Sequence, residues 1–406
     1  MNAERDRTKE PNPNDFRRGH TGLIDLASPQ DDYRSLRDTC PVTVSNGIAF
    51  FTRYQDIDAA LRDPGTFRSK NRGNVGHRRP TVPMDIDPPE HRRHRRILDP
   101  MFSPREMTRY EDQFRALTHE LIDSFADQDG CDFAADFAVP LPSMMFLRLL
   151  GLPPEDLDLL LELKNAVMLP PSEGDVAGHM ASMGQRLTDY FEDYLARRGD
   201  YRSDDIISRL LDSQSGVDGL THEEVVDILY MITLAGLDTV TSSLECMIHY
   251  LAEHPEQRRL IVEDPSLIPS ALEELLRWET PNLMVVRSLP EGVTVGGVEL
   301  EAGTPVALII GSANTDEEAF ERPEVVDFER APNRHIAFGK GIHRCLGSHL
   351  ARIELRIALT EFHRRIPDYE LEPGTELVWN GVAIRSVPEL PIRFLAPVAR
   401  TAAHPR

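Results

Sequence analysis

The stretch Phe338-Gly339-Lys340-Gly341-Ile342-His343-Arg344-Cys345-Leu346-Gly347 decides how the rest of the 406 residues is understood. Gly339 and Gly341 permit a tight loop that side chains would obstruct. Beyond Cys345, apolar residues at Leu346, Leu350, Ile353, Leu355, Ala358 and Phe362 predict a long amphipathic helix opening at Leu346. The N-terminus of such a helix turns free N–H groups and its positive dipole end toward Cys345, which favours a thiolate. A lone cysteine in a Gly-rich turn is most often simple packing. A zinc site needs further ligands at metal spacing, and His335, His343 and His349 form no such pattern with a second cysteine.

A thiolate on haem iron fits this combination better. Phe338 can pack on the face of a macrocycle and shield the sulfur. The sulfur in turn pushes electron density toward bound dioxygen and favours O–O cleavage.

Outward from the loop, the chain is strongly acidic, with 67 Asp plus Glu against 45 Lys plus Arg and a formal charge of -22. That balance argues against nucleic-acid or anionic-membrane binding, so any basic patch is local. Met1 to His20 is charged and Pro-containing, without the apolar core of a signal peptide. The expectation is a cytoplasmic, soluble monomer with a disordered segment 1–20 and a single domain over 21–406. Four scattered cysteines (Cys40, Cys131, Cys246, Cys345) do not make a disulfide framework. Apolar periodicity predicts helices over 54–62, 88–98, 104–127, 142–150, 155–168, 176–198, 222–253, 269–278 and 346–365. Strand-like runs lie at Val42–Thr52, Val285–Ser288, Val293–Ile310 and Pro391–Phe394. The fold class is therefore mainly α with a minor β-sheet region.

One helix stands out. Thr221-His222-Glu223-Glu224 forms a capping-box pattern, and the helix is expected to run to His254, where Pro255 stops it. At about 1.5 Å per residue it would extend nearly 50 Å, enough to cross a domain. Its middle is apolar all round (Ile228, Leu229, Met231, Ile232, Leu234), which means burial, yet Ala235-Gly236-Leu237-Asp238-Thr239 follows. A buried acid and hydroxyl need a purpose. They can serve proton transfer in a dry site, or Thr239 can simply bond back to the Ala235 carbonyl.

The pattern F-G-x-G-x-H-x-C-x-G resembles the haem-binding signature of the cytochrome P-450 superfamily in its soluble bacterial, class I form. Glu274-Leu275-Leu276-Arg277 resembles the family's E-x-x-R pair, and Ala235 to Thr239 its oxygen-activation motif. Asp87-Pro88-Pro89-Glu90-His91-Arg92-Arg93-His94-Arg95 resembles its haem-contacting helix. The likeness covers roughly residues 20 to 395, and four motifs in order are far more specific than one.

The resemblance implies a cytochrome P-450 fold, with the long central helix over haem b and the cysteine loop beneath. It makes Cys345 the metal ligand, and Asp238 and Thr239 the catalytic pair managing protons. Ala235, Gly236, Phe338, Gly339 and Gly347 would border the haem, while His91, Arg95, Arg287 and His343 would hold its propionates. Glu274 and Arg277 would be structural, joined by Arg330 or His335.

For the substrate, the resemblance points to Phe67–Asp85, Met168–Asp175, Leu234, Met284, Val285 and the turn Val382–Ile384 with Ile384. This lining is mostly apolar and suits a hydrophobic small molecule. His77, Arg78 and Arg79 could attract a substrate carboxylate or simply be solvated. The basic run Arg92 to Arg96, with Lys340 and Arg344, would receive a small acidic ferredoxin. The chain carries no flavin or iron–sulfur pattern, so electrons would come from separate proteins. The implied reaction is insertion of one atom of O2 into a C–H bond. Epoxidation, oxidative coupling, other haem-thiolate chemistry and a non-catalytic haem protein are the alternatives.

Overall fold

Apolar periodicity in this chain becomes a helical body with small sheets. The computed structural model describes residues 24–70, 76–169, 174–216, 218–381 and 384–399. The expected segment 1–20 lies outside them. The helices are α1 (Pro29–Thr39), α2 (Tyr54–Arg62), α3 (Glu90–Leu98), α4 (Pro104–Thr108), α5 (Glu111–Phe125), α6 (Pro140–Leu150), α7 (Leu157–Met168) and α8 (Val176–Arg198). They continue as α9 (Ile206–Asp212), α10 (His222–Gly236), α11 (Thr239–Glu253), α12 (Pro255–Glu263), α13 (Ile268–Glu279), α14 (Ile310–Asn314) and α15 (Ser348–Arg365).

Several expectations change. The 104–127 helix divides into α4 and α5 around Arg109 and Tyr110. The 222–253 helix is interrupted at Leu237-Asp238, so the suspect acid sits at a break and not within a regular turn. Pro255 does end α11, but it also opens α12, since proline is accommodated in a first turn that needs no N–H donor. The capping box at Thr221 forms in full: the Glu224 N–H donates to Thr221 Oγ1 (3.1 Å) and the Thr221 N–H to Glu224 Oε2 (2.8 Å). Helix α1 escaped notice because it buries only Pro29, Tyr33 and Arg37 of eleven residues and so has little apolar period.

Strands β1 (Val42–Ser45), β2 (Ile48–Phe51), β7 (Pro305–Ile309) and β4 (Met284–Ser288) form a four-stranded sheet in that order. Strand β2 runs parallel to β7, and the other two pairings are antiparallel. β3 (Gly130–Asp132), β9 (Pro391–Phe394) and β8 (Tyr369–Leu371) make a second sheet, and β5 (Val293–Val295) pairs with β6 (Val298–Leu300). The main apolar core draws on side chains from Val82 to Phe394 and surrounds α10 and α11. The stretch His222–Glu253 is long and apolar enough to cross a bilayer, yet most of it is buried inside the protein, as a core helix is.

The foundation beneath the cysteine loop is ionic. Glu274 and Arg277, three apart on α13, are both fully buried and meet through two bonds of 2.8 Å. Arg330 completes the network with Nε 3.0 Å from Glu274 Oε1, Asn333 donates to Oε2 (3.0 Å), and Arg277 Nη1 donates to the carbonyls of Asn314 and Pro323. His335 instead bonds the neighbouring Glu273 (2.8 Å), which also takes a two-pronged contact from Arg352 of α15. Thus α13 grips the chain both before and after Cys345.

Burial pushes the Glu273 carboxyl up, but the bonds from Arg352 and His335 outweigh it and hold the group at about 2, against an ordinary 4.5. A depressed carboxyl stabilises the fold above its unfolded value, and that contribution drains away as pH falls through the lower, folded value. Glu273→Gln is therefore expected to flatten the acid limb of stability between pH 4.5 and about 2, followed by urea midpoints across that range. An acid limb as steep as that of the wild type would contradict the pairing.

Candidate active site

The loop Phe338 to Gly347 folds back on itself, with the Cys345 N–H donating to the Phe338 carbonyl (2.8 Å). Gly341 is required twice: its φ is +68°, and a Cβ there would stand 2.2 Å from the Leu61 carbonyl oxygen at the end of α2. Lys340 adds a second tie to α2 through Asp58 (2.5 Å). Helix α15 opens at Ser348, not Leu346, with Gly347 at its N-cap. The Gly347 N–H bonds to the Cys345 sulfur, and Arg95, Arg344 and Arg352 lie close enough to act on it. Burial pushes the Cys345 thiol up while that N–H and those cations pull it down, and burial prevails. Yet the Cys345 side chain is not sealed by neighbours: it is solvent-accessible within this dense setting, as a residue facing an internal cleft would be. A metal ion at the sulfur would deprotonate it outright.

Next to the loop stands α3. The rings of His91 and His343 lie 4.2 Å apart, and Arg95 donates to the Arg344 carbonyl (3.0 Å) while pairing with Asp99 (2.7 Å). His91 is 2 % exposed, and neither ring nitrogen has a hydrogen-bond partner. Burial, aided by Arg95 and His94, brings its pKa down to about 4. A neutral, buried imidazole with an idle N–H calls for an acceptor, and a carboxylate of a bound group suits it. Arg287 is buried in β4, where Nη1 donates to the Val286 carbonyl. The phenyl ring of Phe338 is capped by the Arg352 guanidinium at 4.3 Å. Haem, with two propionates and a flat apolar ring, fits this donor set: a sulfur at a helix start, an aromatic beside it, and His91, Arg95 and His343 converging.

The other wall is the helix break. Although α10 crosses the middle of the fold, Ile232, Ala235, Gly236, Asp238 and Thr239 are only partly buried, while Thr233, Leu234 and Leu237 between them are buried. Ile232, Ala235 and Thr239, spaced by three and four, thus form one stripe along an internal cleft. A Cβ on Gly236 would come within 3.2 Å of the Phe146 ring, so close packing with α6 favours glycine there. Thr239 Oγ1 donates to the Ala235 carbonyl (3.1 Å), the local bond anticipated as its plainer role. Asp238 is more unusual, because its carboxylate is held by Lys164 of α7.

Lys164 is 4 % exposed and shares the buried stripe Leu160, Leu163, Lys164 and Val167. Sequence reasoning missed Lys164, and its place in an apolar stripe is the signal that could have revealed a buried acid partner.

Of the residues expected to face substrate, Leu234 is 2 % exposed in the main core. Met284 and Val285 are half-buried in β4, and a bridge between Asn282 and Ile384 sets Ile384 beside that strand. Parts of the segments 67–85, 168–175 and 382–384 lie outside the described residues. His77 and Arg79 do attract a carboxylate, that of Asp227 on α10, and Arg78 is exposed. Among the described residues no cluster of three or more His, Cys, Asp or Glu is arranged to hold a metal ion.

Comparison with known proteins agrees with this geometry. Residues 168–376 match the family model described as Cytochrome P-450. The chain is 34 % identical to the mycinamicin IV hydroxylase/epoxidase of Micromonospora griseorubida over 376 residues, covering 89 % of this chain and 94 % of that one. It is 32 % identical to the steroid C26-monooxygenase of Mycolicibacterium smegmatis over 372 residues, covering 90 % and 92 %. The crystal structure of CYP109E1 from Bacillus megaterium in complex with testosterone superposes with a TM-score of 0.86 at 30 % identity, covering 92 % of this chain and 99 % of that one. The chain belongs to the cytochrome P-450 family and is a monooxygenase that carries haem b on a cysteine thiolate.

Proposed function

We propose that Cys345 is the iron ligand and that the enzyme hydroxylates a hydrophobic small molecule, using O2 and electrons from a ferredoxin and its reductase in the cytoplasm. When bound, the haem supplies the activation of dioxygen and the transfer of one oxygen atom. The chain's own residues bind, exclude water and handle protons. His91, Arg95, Arg287 and His343 take the propionates. Ile232, Ala235, Met284, Val285 and Ile384 offer apolar surface and few polar anchors, which suits a bulky apolar substrate. The relatives that act on mycinamicin IV and on steroids support that class.

The observation that carries the oxygenase reading is the pairing of Asp238 with buried Lys164, one residue before Thr239 at the helix break. An acid at a break can swing between its lysine and the cleft. The Thr239 hydroxyl, released from the Ala235 carbonyl, would be a proton donor on the same stripe as Ala235, available for the proton delivery that the haem's chemistry would require. A non-catalytic haem protein has no use for this costly arrangement. Screening apolar compounds for a spin-state change, followed by turnover under labelled dioxygen with a ferredoxin and reductase, tests the reading. One labelled oxygen in a hydroxylated product is expected, and an epoxide or a coupled product would redirect it.

Thr239→Ala is expected to keep haem and to consume NADPH while product per NADPH falls at least about tenfold and hydrogen peroxide rises. Coupled product formation at the wild-type level would sink the assignment.

On the donor side the basic run divides. Arg93 and His94 turn inward to Glu224 at the start of α10, whereas Arg92, Arg96 and Arg344 are exposed. The donor surface therefore comprises Arg92, Arg96 and Arg344. Reversing Arg92 and Arg344 to Glu is expected to slow reduction by an acidic ferredoxin about tenfold at low salt, with a weaker salt dependence than the wild type shows. Stopped-flow reduction rates that ignore both charge and salt would exclude this face.

A further inference from the structure

Arg385 is fully buried and lies outside the haem-binding and proton-handling residues, yet many groups converge on it. Its guanidinium pairs with the buried carboxylate of Glu279 at the end of α13, donates through Nε to the Leu26 carbonyl and donates through Nη2 to the Ala27 carbonyl (3.1 Å). The same group lies over the Trp379 ring at 4.0 Å, and Trp379 meets the His249 ring of α11 edge-on at 4.9 Å. One side chain thus joins the residues before α1, the end of α13 and the late segment from Trp379 onward.

The backbone around Arg385 is held as firmly as its head. The Arg385 N–H donates to the Pro281 carbonyl (2.7 Å), Ser386 and Asn380 exchange N–H bonds of 2.8 and 2.9 Å, and the Val387 N–H donates to Glu245 of α11 (2.9 Å). Ile384 bridges to Asn282, just ahead of β4 and its Met284 and Val285. Side chains alternate along an extended chain, so Ile384 points away from the buried side that Arg385 occupies. Met284 and Val285 each pack against an apolar cluster, whereas Ile384, though half-buried, packs against none of the three clusters among the described residues. A half-buried apolar side chain outside every core is free to meet an apolar ligand.

We propose that Arg385 is a positioning residue for the substrate: anchored on Glu279 and on the Leu26 and Ala27 carbonyls, it fixes where the chain presents Ile384 and so how a bulky apolar molecule is seated. The proposal rests on Ile384 lining the haem pocket beside Met284 and Val285. Without the anchor the short stretch from Ile384 to Val387 keeps only backbone bonds and its tie to Glu245, and Ile384 loses its fixed place. A ligand that reaches Ile384 then binds less well, while one too small to reach it is unaffected.

The test compares, in the holoenzyme, the affinities of two azoles that bind haem iron through nitrogen: compact imidazole, and clotrimazole, whose aryl rings reach the surrounding walls. Replacing Arg385 alone would strand Glu279 in the interior, so the informative variant is the double substitution Glu279→Gln with Arg385→Met. It is expected to weaken clotrimazole about fivefold while imidazole changes less than about twofold, and Ile384→Ala to weaken clotrimazole about tenfold. Hydrogen exchange across residues 384–387 is expected to quicken in the double variant and to stay at the wild-type rate in Ile384→Ala. Arg385→Lys keeps the charge without the planar fork and is expected to fall between wild type and double variant; it carries the same comparison should the double variant fail to fold. A folded Arg385 variant with a lower unfolding midpoint but wild-type clotrimazole affinity, beside an Ile384→Ala that loses clotrimazole, would make Arg385 a structural anchor only and overturn the proposal. Unchanged clotrimazole affinity in Ile384→Ala would instead overturn the pocket reading, and the proposal with it.

Discussion

Glu274 is the carboxylate on which the proximal half of this molecule depends. Fully buried, it binds Arg277 of its own helix, Arg330, Asn333 and the Asp327 N–H, and so fixes the irregular chain that leads into the cysteine loop. An irregular segment of this kind has no ladder of its own to hold it, and its polar groups need fixed partners. Removing one partner from such a network strands a charge in the interior, which typically costs about 3–5 kcal/mol. Glu273, next in sequence, extends the grip to His335 before the loop and Arg352 after it. The sulfur is thereby held from both sides by one helix that never touches it.

The distal half uses the same device on a different spine. Helices α10 and α11 carry acids that each tie down one neighbouring element: Glu224 takes Arg93 and His94 of α3, Asp227 takes His77 and Arg79, and Asp238 takes Lys164 of α7. Further on, buried Glu245 accepts the Val387 N–H from the late turn region. Burial pushes the Glu245 carboxyl up to about 7, partly countered by that bond. An apolar helix could have packed with less penalty, since burying polar groups costs free energy unless every one is satisfied. The return is geometric: a spine of acids sets the spacing of the elements it ties together, and Asp238 is the one for which a proton-passing role is proposed.

Much of this was legible beforehand because the decisive signals are local. The loop around Cys345 shows its glycines, sulfur and following helix within ten residues, and α2 and α8 coincide with their apolar periods end to end. What escaped notice was long-range pairing. Arg330 and His335 were equal candidates for Glu274 because only the path of the chain decides which one arrives; Arg330 does, and His335 goes to Glu273. Arg93 looked like its exposed neighbours until α3 was set against the start of α10. The break at Asp238 was invisible to periodicity because the residues on both sides keep the same helical phase and the same apolar character. His77, Arg78 and Arg79 were read either as binders of a substrate carboxylate or as solvated; His77 and Arg79 instead take the chain's own Asp227, and Arg78 is exposed.

Everything proposed for this enzyme turns on the identity of the iron ligand. The most direct measurement is the absorption spectrum of the reduced, carbon-monoxide-bound protein, taken for the wild type and for Cys345→His side by side. The wild type should show the strongly red-shifted Soret band of thiolate ligation, and the variant should retain haem with the band of an imidazole-ligated haem. An imidazole-type band in the fresh wild-type protein, or a thiolate-type band that survives the loss of Cys345, would contradict it.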